Sequence, residues 1–196
     1  MPGIVAENAI TVQNLMDAFE GESNAHAKYT AFAVKADDDG LHGAASLFRA
    51  AARAEQIHAA NHARVIGLMG GHAECEIHPV EVKSTLENLK AALNGEQYEI
   101  DTMYPGFLEE ATGHKNTAAI RTFHGALEAE KTHARLYAEA ISLLVAGKKD
   151  SPNGTWIGEA RDFYVCPVCG YTSETEEENE RCPVCNCLWE KFEIIR

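Results

Sequence analysis

The chain has 196 residues, 45% hydrophobic and 24% charged, a make-up expected of a soluble protein with one medium domain or a domain plus a small module. Its net charge of −13 and pI near 5.1 argue against nucleic acid as a partner, because phosphate binding needs clustered Lys and Arg. The stretch Met1 to Glu7 has no basic region and no long apolar run, and nothing approaches the length of a membrane span. The expectation is a cytoplasmic protein without a membrane partner.

Four long stretches carry apolar residues at alternating spacings of three and four, the period of helices packed in a bundle. The first is the roughest, through Leu15, Ala18 or Phe19, Glu22, Ala25 or His26, Tyr29, and Phe32 or Ala33. The second runs Leu41, Ala45, Phe48, Ala52, Glu55, Ala59, His62, Ile66, Met69. The third runs Val82, Leu86, Leu89, Leu93, Glu96, Ile100, Met103, Phe107, and the fourth Ile120, Phe123, Leu127, Glu130, Ala134, Tyr137, Ile141, Leu144. Breaks are predicted at Asp37–Gly40, Gly70–Gly71, Gly113 and Gly147. The longest connection follows the second helix, where a ferritin-like bundle has its crossover.

Each stretch places one glutamate in the apolar seam: Glu22, Glu55, Glu96 and Glu130. An isolated carboxylate buried in a core costs several kcal/mol. Four of them, one per helix, point to a shared cation. The sequence Ala-Glu-x-x-His-Ala occurs twice, at Glu55/His58 and at Glu130/His133. Residues three apart share a helix face, so each copy aims a carboxylate and an imidazole at one point. Two such pairs plus a Glu from each of two other helices make the recipe for a di-metal carboxylate site. Gly21-Glu22 also matches Gly95-Glu96, so the halves read as a duplicated helix pair with Glu55 and Glu130 placed to bridge two metals. The halves differ in one respect: Glu99, one turn after Glu96, has Ala25 as its counterpart. His62, one turn past His58, is an additional imidazole on the ligand face.

Six cysteines occur, five of them between Cys166 and Cys187. Cys166-Pro-Val-Cys169 and Cys182-Pro-Val-Cys185 form two knuckles whose four thiolates suit zinc or a single iron. Phe163, Tyr164, Tyr171, Trp189 and Phe192 are placed to shield them. Cys75 and Cys187 read as non-ligands. Residues 148–154 read as a linker.

Gly21-Glu22-Ser23, Glu55-x-x-His58, Gly95-Glu96-x-x-Glu99 followed by Met103-Tyr104-Pro105-Gly106-Phe107, Glu130-x-x-His133 and the terminal knuckle Cys166-x-x-Cys169-Gly170-Tyr171 resemble the rubrerythrin family over essentially the whole chain. The resemblance implies a mainly α protein, with a ferritin-like di-iron four-helix bundle at 1–147, a linker at 148–161 and a small rubredoxin-like, β-rich iron domain at 162–196. It makes Glu22, Glu55, Glu96, Glu99, Glu130 and His133 ligands of two non-haem irons. His58 would replace Glu99 on one iron upon reduction. Cys166, Cys169, Cys182 and Cys185 would hold one further iron, and Tyr29 and Tyr104 would lie beside the di-iron site. The implied activity is a peroxidase reducing hydrogen peroxide to water in oxidative-stress defence. Electrons would come through the cysteine-bound iron from a donor such as a rubredoxin or an NAD(P)H-dependent reductase. The family's head-to-tail homodimer, in some members with exchanged helices, implies a module serving a neighbouring subunit. Ferritin-like iron oxidation and storage is the rival reading, and the attached one-electron module weighs against it.

Overall fold

The computed structural model describes residues 9–147, 156–175 and 180–196. Among the described residues five α-helices run α1 Ala9–Asp38, α2 His42–Leu68, α3 Thr85–Tyr98, α4 Tyr104–Gly113 and α5 Thr117–Val145. Their ends follow local chemistry. Gly40, Gly70 and Gly147 adopt positive φ just past α1, α2 and α5. Ser84 and Glu87 close a reciprocal capping box on α3, and the Asn116 side chain accepts from the Ala119 amide at the start of α5. The third predicted helix is α3 and α4 joined by a π-helical turn, Glu99–Met103. Helices α1, α2, α5 and the α3–α4 rod make the four-helix bundle.

The extra residue of the π-turn explains where the predicted third seam departs from the structure. It rotates everything beyond Glu99, so Tyr104 and Ala111 become the core residues of α4, while Ile100, Met103 and Phe107 are only partly buried. Two apolar clusters result. One holds Tyr29, Phe32, Phe48, Leu89 and Tyr137. The other holds Leu15, Val65, Ile66, Tyr104 and Phe123. The four seam glutamates are fully buried, at 0 or 1% exposure, at levels between these clusters on their helices.

The C-terminal part is a three-stranded antiparallel sheet in the order β2-β1-β3, with β1 Phe163–Val165, β2 Thr172–Ser173 and β3 Glu193–Ile195. Residues 148–155 of the predicted linker lie outside the described residues. The stretch beginning at Trp156 lies against the bundle. Ile157 is fully buried in the first cluster, its carbonyl accepts from the amides of Gly43 and Ala44, and the Trp156 indole donates to Glu139. A Cβ on Gly43 would run into the Trp156 carbonyl. Gly43→Ala is therefore expected to destabilise the protein by on the order of 2 kcal/mol, visible as a fall in melting temperature of about 4–8 °C. An unchanged melting temperature would show that the docked stretch contributes nothing to stability.

Candidate metal centre

Glu22 comes from α1, Glu55 and His58 from α2, Glu96 from α3, and Glu130 and His133 from α5. They form two overlapping groups in which one ligand atom per residue lies within 4.8 Å of the others. The first is Glu22, Glu55, His58 and Glu130; the second is Glu55, Glu96, Glu130 and His133. Glu55 and Glu130 belong to both, where bridging ligands of a metal pair must sit. One oxygen on each of the four glutamates has no hydrogen-bond partner among the described residues: Glu22 Oε2, Glu55 Oε1, Glu96 Oε2 and Glu130 Oε1. Four buried acceptors without donors are what a cation site requires, and mixed carboxylate and imidazole donors suit iron.

The imidazoles are oriented from outside the bundle. His58 Nε2 lies 3.0 Å from the Cys169 carbonyl, which only accepts, so Nε2 carries the hydrogen and Nδ1 turns to the carboxylates, 3.0 Å from Glu55 and 2.9 Å from Glu130. His133 Nε2 lies 3.0 Å from the Thr172 hydroxyl, whose hydrogen goes to the Gly170 carbonyl, so His133 Nε2 also donates. Its Nδ1 lies 2.7 Å from Glu130. The cysteine module thus fixes both tautomers for ligation through Nδ1.

The tyrosines cross between the halves. Tyr29 donates to Glu96 at 2.6 Å, and Tyr104 donates to Glu22. Tyr29 follows Glu22 by seven residues and Tyr104 follows Glu96 by eight; the π-turn supplies the extra residue and restores the facing. Glu99, at the first position of that turn, is partly buried and joins neither group of four.

The charges in this layer are strongly coupled. Burial, reinforced by neighbouring carboxylates, pushes Glu55, Glu96 and Glu99 well above the ordinary value of 4.5. Burial would also raise Glu22 and Glu130, but His58 with His62, and His58 with His133, outweigh it and hold them low. Burial would lower His58, but Glu130 and its neighbours raise it well above 6.5, whereas burial lowers His62. Glu55, Glu96, Glu99 and His58 bind protons more tightly folded than unfolded. Their stabilisation is complete below 4.5, or 6.5 for His58, and is lost as pH rises through the folded values. Glu22 and Glu130 lose theirs only on acidification below 4.5, and His62 alone opposes the trend, on acidification through 6.5. The metal-free protein is therefore expected to melt at progressively lower temperature from about pH 5 to about pH 8, and metal loading to flatten that slope. A rising melting temperature over this range would contradict the assignment.

Cys166, Cys169, Cys182 and Cys185 form a third group, with Sγ separations of 3.5 Å (Cys166 to Cys185) and 3.6 Å (Cys169 to Cys182). Tetrahedral bonds of about 2.3 Å place sulfurs about 3.8 Å apart, so the set fits one thiolate-bound metal. Hydrogen bonds from Cys166 and then Cys169 pull the Cys182 thiol below its ordinary range and bring Cys185 to about 7. Tyr171 and Phe192 pack on this group as the sequence suggests, whereas Phe163 turns into the bundle cluster, against Trp156. Cys187 and Cys75 are outside the group.

The module sits on the metal face of its own chain's bundle. Asn61 donates to the Val168 carbonyl at 2.8 Å, Arg53 holds Glu193 through two bonds, and Arg135 pairs with Glu174 at 3.0 Å. Cys169 links both sites directly, its thiol in the four-cysteine group and its carbonyl on His58.

This architecture defines a ferritin-like di-metal carboxylate protein with an attached tetrathiolate metal module. Among the described residues no helix is long and apolar enough to cross a membrane. The rubrerythrin family model matches residues 13–141. Rubrerythrin-2 of Clostridium acetobutylicum is 38% identical, covering 96% of this chain and 98% of its own, and nigerythrin of Nitratidesulfovibrio vulgaris is 37% identical over 89% and 81%. The solved structure of nigerythrin in a mixed-valent state superposes with a TM-score of 0.81 at 36% identity, covering 94% of this chain and 86% of that one. The chain belongs to the rubrerythrin family.

Proposed function

We propose that the chain is a cytoplasmic di-iron peroxidase that reduces hydrogen peroxide to two waters, consuming two electrons and two protons. The carrying observation is the Cys169 carbonyl on His58, which joins a one-electron thiolate site to the carboxylate layer. Glu22, Glu55, His58, Glu96, Glu130 and His133 would hold the two irons, with Glu99 as the alternate to His58. When bound, the iron pair supplies the electrons that cleave the O–O bond. The surrounding residues do the rest. Tyr29 and Tyr104 present hydroxyls at the layer as hydrogen-bond donors. The four seam glutamates are fully buried, which keeps their carboxylates from bulk water. Placement of Glu99 at the π-turn, outside both ligand groups, supports a carboxylate that exchanges with His58.

A rubredoxin or an NAD(P)H-dependent reductase would supply electrons to the iron that Cys166, Cys169, Cys182 and Cys185 would hold. Contact within one chain supports internal transfer. A head-to-tail homodimer would put the partner's module on the same face. Mixing a Cys166→Ser/Cys182→Ser protein with a Glu55→Gln protein separates the two, since internal transfer predicts no recovered activity. The function is tested by anaerobic mixing of the reduced, iron-loaded protein with peroxide. Oxidation of one iron pair per peroxide, with reoxidation of the thiolate iron following, is expected. Iron accumulation without peroxide consumption would return the chain to the ferritin-like reading.

A further inference from the structure

We propose that Thr122 and His62 are links in a proton wire running from an open cavity to Glu22, on one side of the metal layer only; the proposal rests on the peroxidase reading. His62 is fully buried and belongs to neither ligand group. Its Nδ1 lies 3.0 Å from Thr122 Oγ1 and its Nε2 lies 3.1 Å from the Tyr104 hydroxyl, which donates to Glu22 Oε1. The Tyr104 hydroxyl has one hydrogen and gives it to Glu22, which fixes the direction of the bonds behind it. Its oxygen therefore accepts from His62 Nε2–H. The Nδ1 of neutral His62 is then an acceptor, and Thr122 donates to it. Three hydrogens point inward in series. At the outer end, Thr122 lines a cavity of about 620 Å³ between α2, α5 and the cysteine knuckles, whose lining includes the exposed side chains of Arg64, Arg121 and His124.

The duplicated halves provide an internal control. A shift of 75 residues carries Tyr29 to Tyr104, Glu55 to Glu130 and His58 to His133. The same shift pairs His62 with Tyr137 and Leu47 with Thr122. Tyr137 packs on Tyr29, but its buried hydroxyl has no hydrogen-bond partner among the described residues, and Leu47 is fully buried and apolar. Packing therefore does not demand a polar chain at this level. One half builds it and the other does not.

In one pass, an acid in the cavity protonates the Thr122 oxygen as the Thr122 hydrogen moves to His62 Nδ1. The Nε2 hydrogen moves to Tyr104, and the Tyr104 hydrogen moves to Glu22 or to the oxygen being reduced beside it. No link is left charged; a rotation of the ring that turns Nδ1–H toward Tyr104 and Nε2 toward Thr122 readies the second pass, in which the hydrogen lost from Nδ1 and gained at Nε2 returns the ring to the Nε2–H form. Two passes supply the two protons that one peroxide consumes.

Nitrogen-15 NMR of the metal-free protein is expected to show His62 as the Nε2–H tautomer; Nδ1–H would overturn the wire. In the iron-loaded protein, Thr122→Val should slow single-turnover peroxide reduction on the order of a hundred-fold and enlarge the solvent deuterium effect. Thr122→Ser, which keeps the hydroxyl, should restore both. Equal rates and isotope effects in Thr122→Val and the parent protein would also overturn it. A parent protein that consumes no peroxide removes the peroxidase reading. The wire is then judged by proton uptake on reduction of the loaded protein, which Thr122→Val must slow if the wire exists.

Discussion

Glu55→Gln is expected to abolish metal binding in the bundle while leaving the metal-free fold as stable as before. Glu55 belongs to both groups of four, so its loss removes a donor from each metal at once. In the metal-free protein its carboxyl is held well above its ordinary range, chiefly by burial and then by Glu130 and Glu22, which favours the uncharged form whose shape glutamine reproduces. The substitution keeps shape and polarity beside His58 and should change the metal-free stability by no more than about 1 kcal/mol. Its effect on the loaded protein is large. A ligand present at 100–1,000 times its dissociation constant stabilises by about 3–4 kcal/mol, so the iron-dependent rise in melting temperature, about 10 °C for a chain of this length, should disappear. Iron analysis should find only the thiolate-bound ion. Glu22→Gln gives the contrast, since Glu22 belongs to one group and its loss should leave the other metal in place. If Glu55→Gln retained both metals, the bridging assignment would be wrong.

The residues of the three clusters were legible because each breaks a local rule. A glutamate at a seam position, an imidazole three residues on and paired cysteine knuckles are anomalies against the helical apolar pattern, and helical geometry carries each to its place. The π-turn at Glu99–Met103 has no such mark, since nothing in Glu-Ile-Asp-Thr-Met departs from helix-forming sequence. Its traces are Pro105 just beyond it, which has no backbone N–H to give the ladder, and the unequal interval from Glu22 to Tyr29 and from Glu96 to Tyr104, seven residues against eight. Comparing halves would have found it and corrected the third seam. Contacts made across the chain left less trace. His62 read as an unassigned imidazole because its partners, Thr122 and Tyr104, lie 60 and 42 residues away. The roles of the Cys169 carbonyl and Thr172 hydroxyl depend on how the module docks, which neither motif encodes. Gly43 and Gly170 are the local residues that docking does require to be small.

Gly170→Ala is expected to uncouple the two metal sites without emptying either. Gly170 turns the first knuckle at a φ of +78°, and a Cβ there would overlap the His58 imidazole. The close approach that puts the Cys169 carbonyl on His58 Nε2 is therefore open only to glycine. An alanine costs about 1–2 kcal/mol in the left-handed region and forces the module off the bundle face. Four thiolates can still gather on one metal, and the six bundle residues of the two groups of four come from helices the change does not touch. What moves is the contact between them, and a displacement of about 1 Å at such a junction can cost on the order of a hundred-fold in rate. Reduction of the bundle irons through the thiolate iron should slow by that factor, while iron content and the thiolate-to-iron absorption persist. Loss of that absorption would place the fault in the knuckle, so Arg53→Ala with Asn61→Ala gives the independent measurement. These remove the Glu193 pairing and the Val168 bond away from the thiolates. Unslowed transfer in both variants would mean that electrons do not cross at His58. Slowing in both, with each site loaded, would make the docked knuckle the electron path into the bundle.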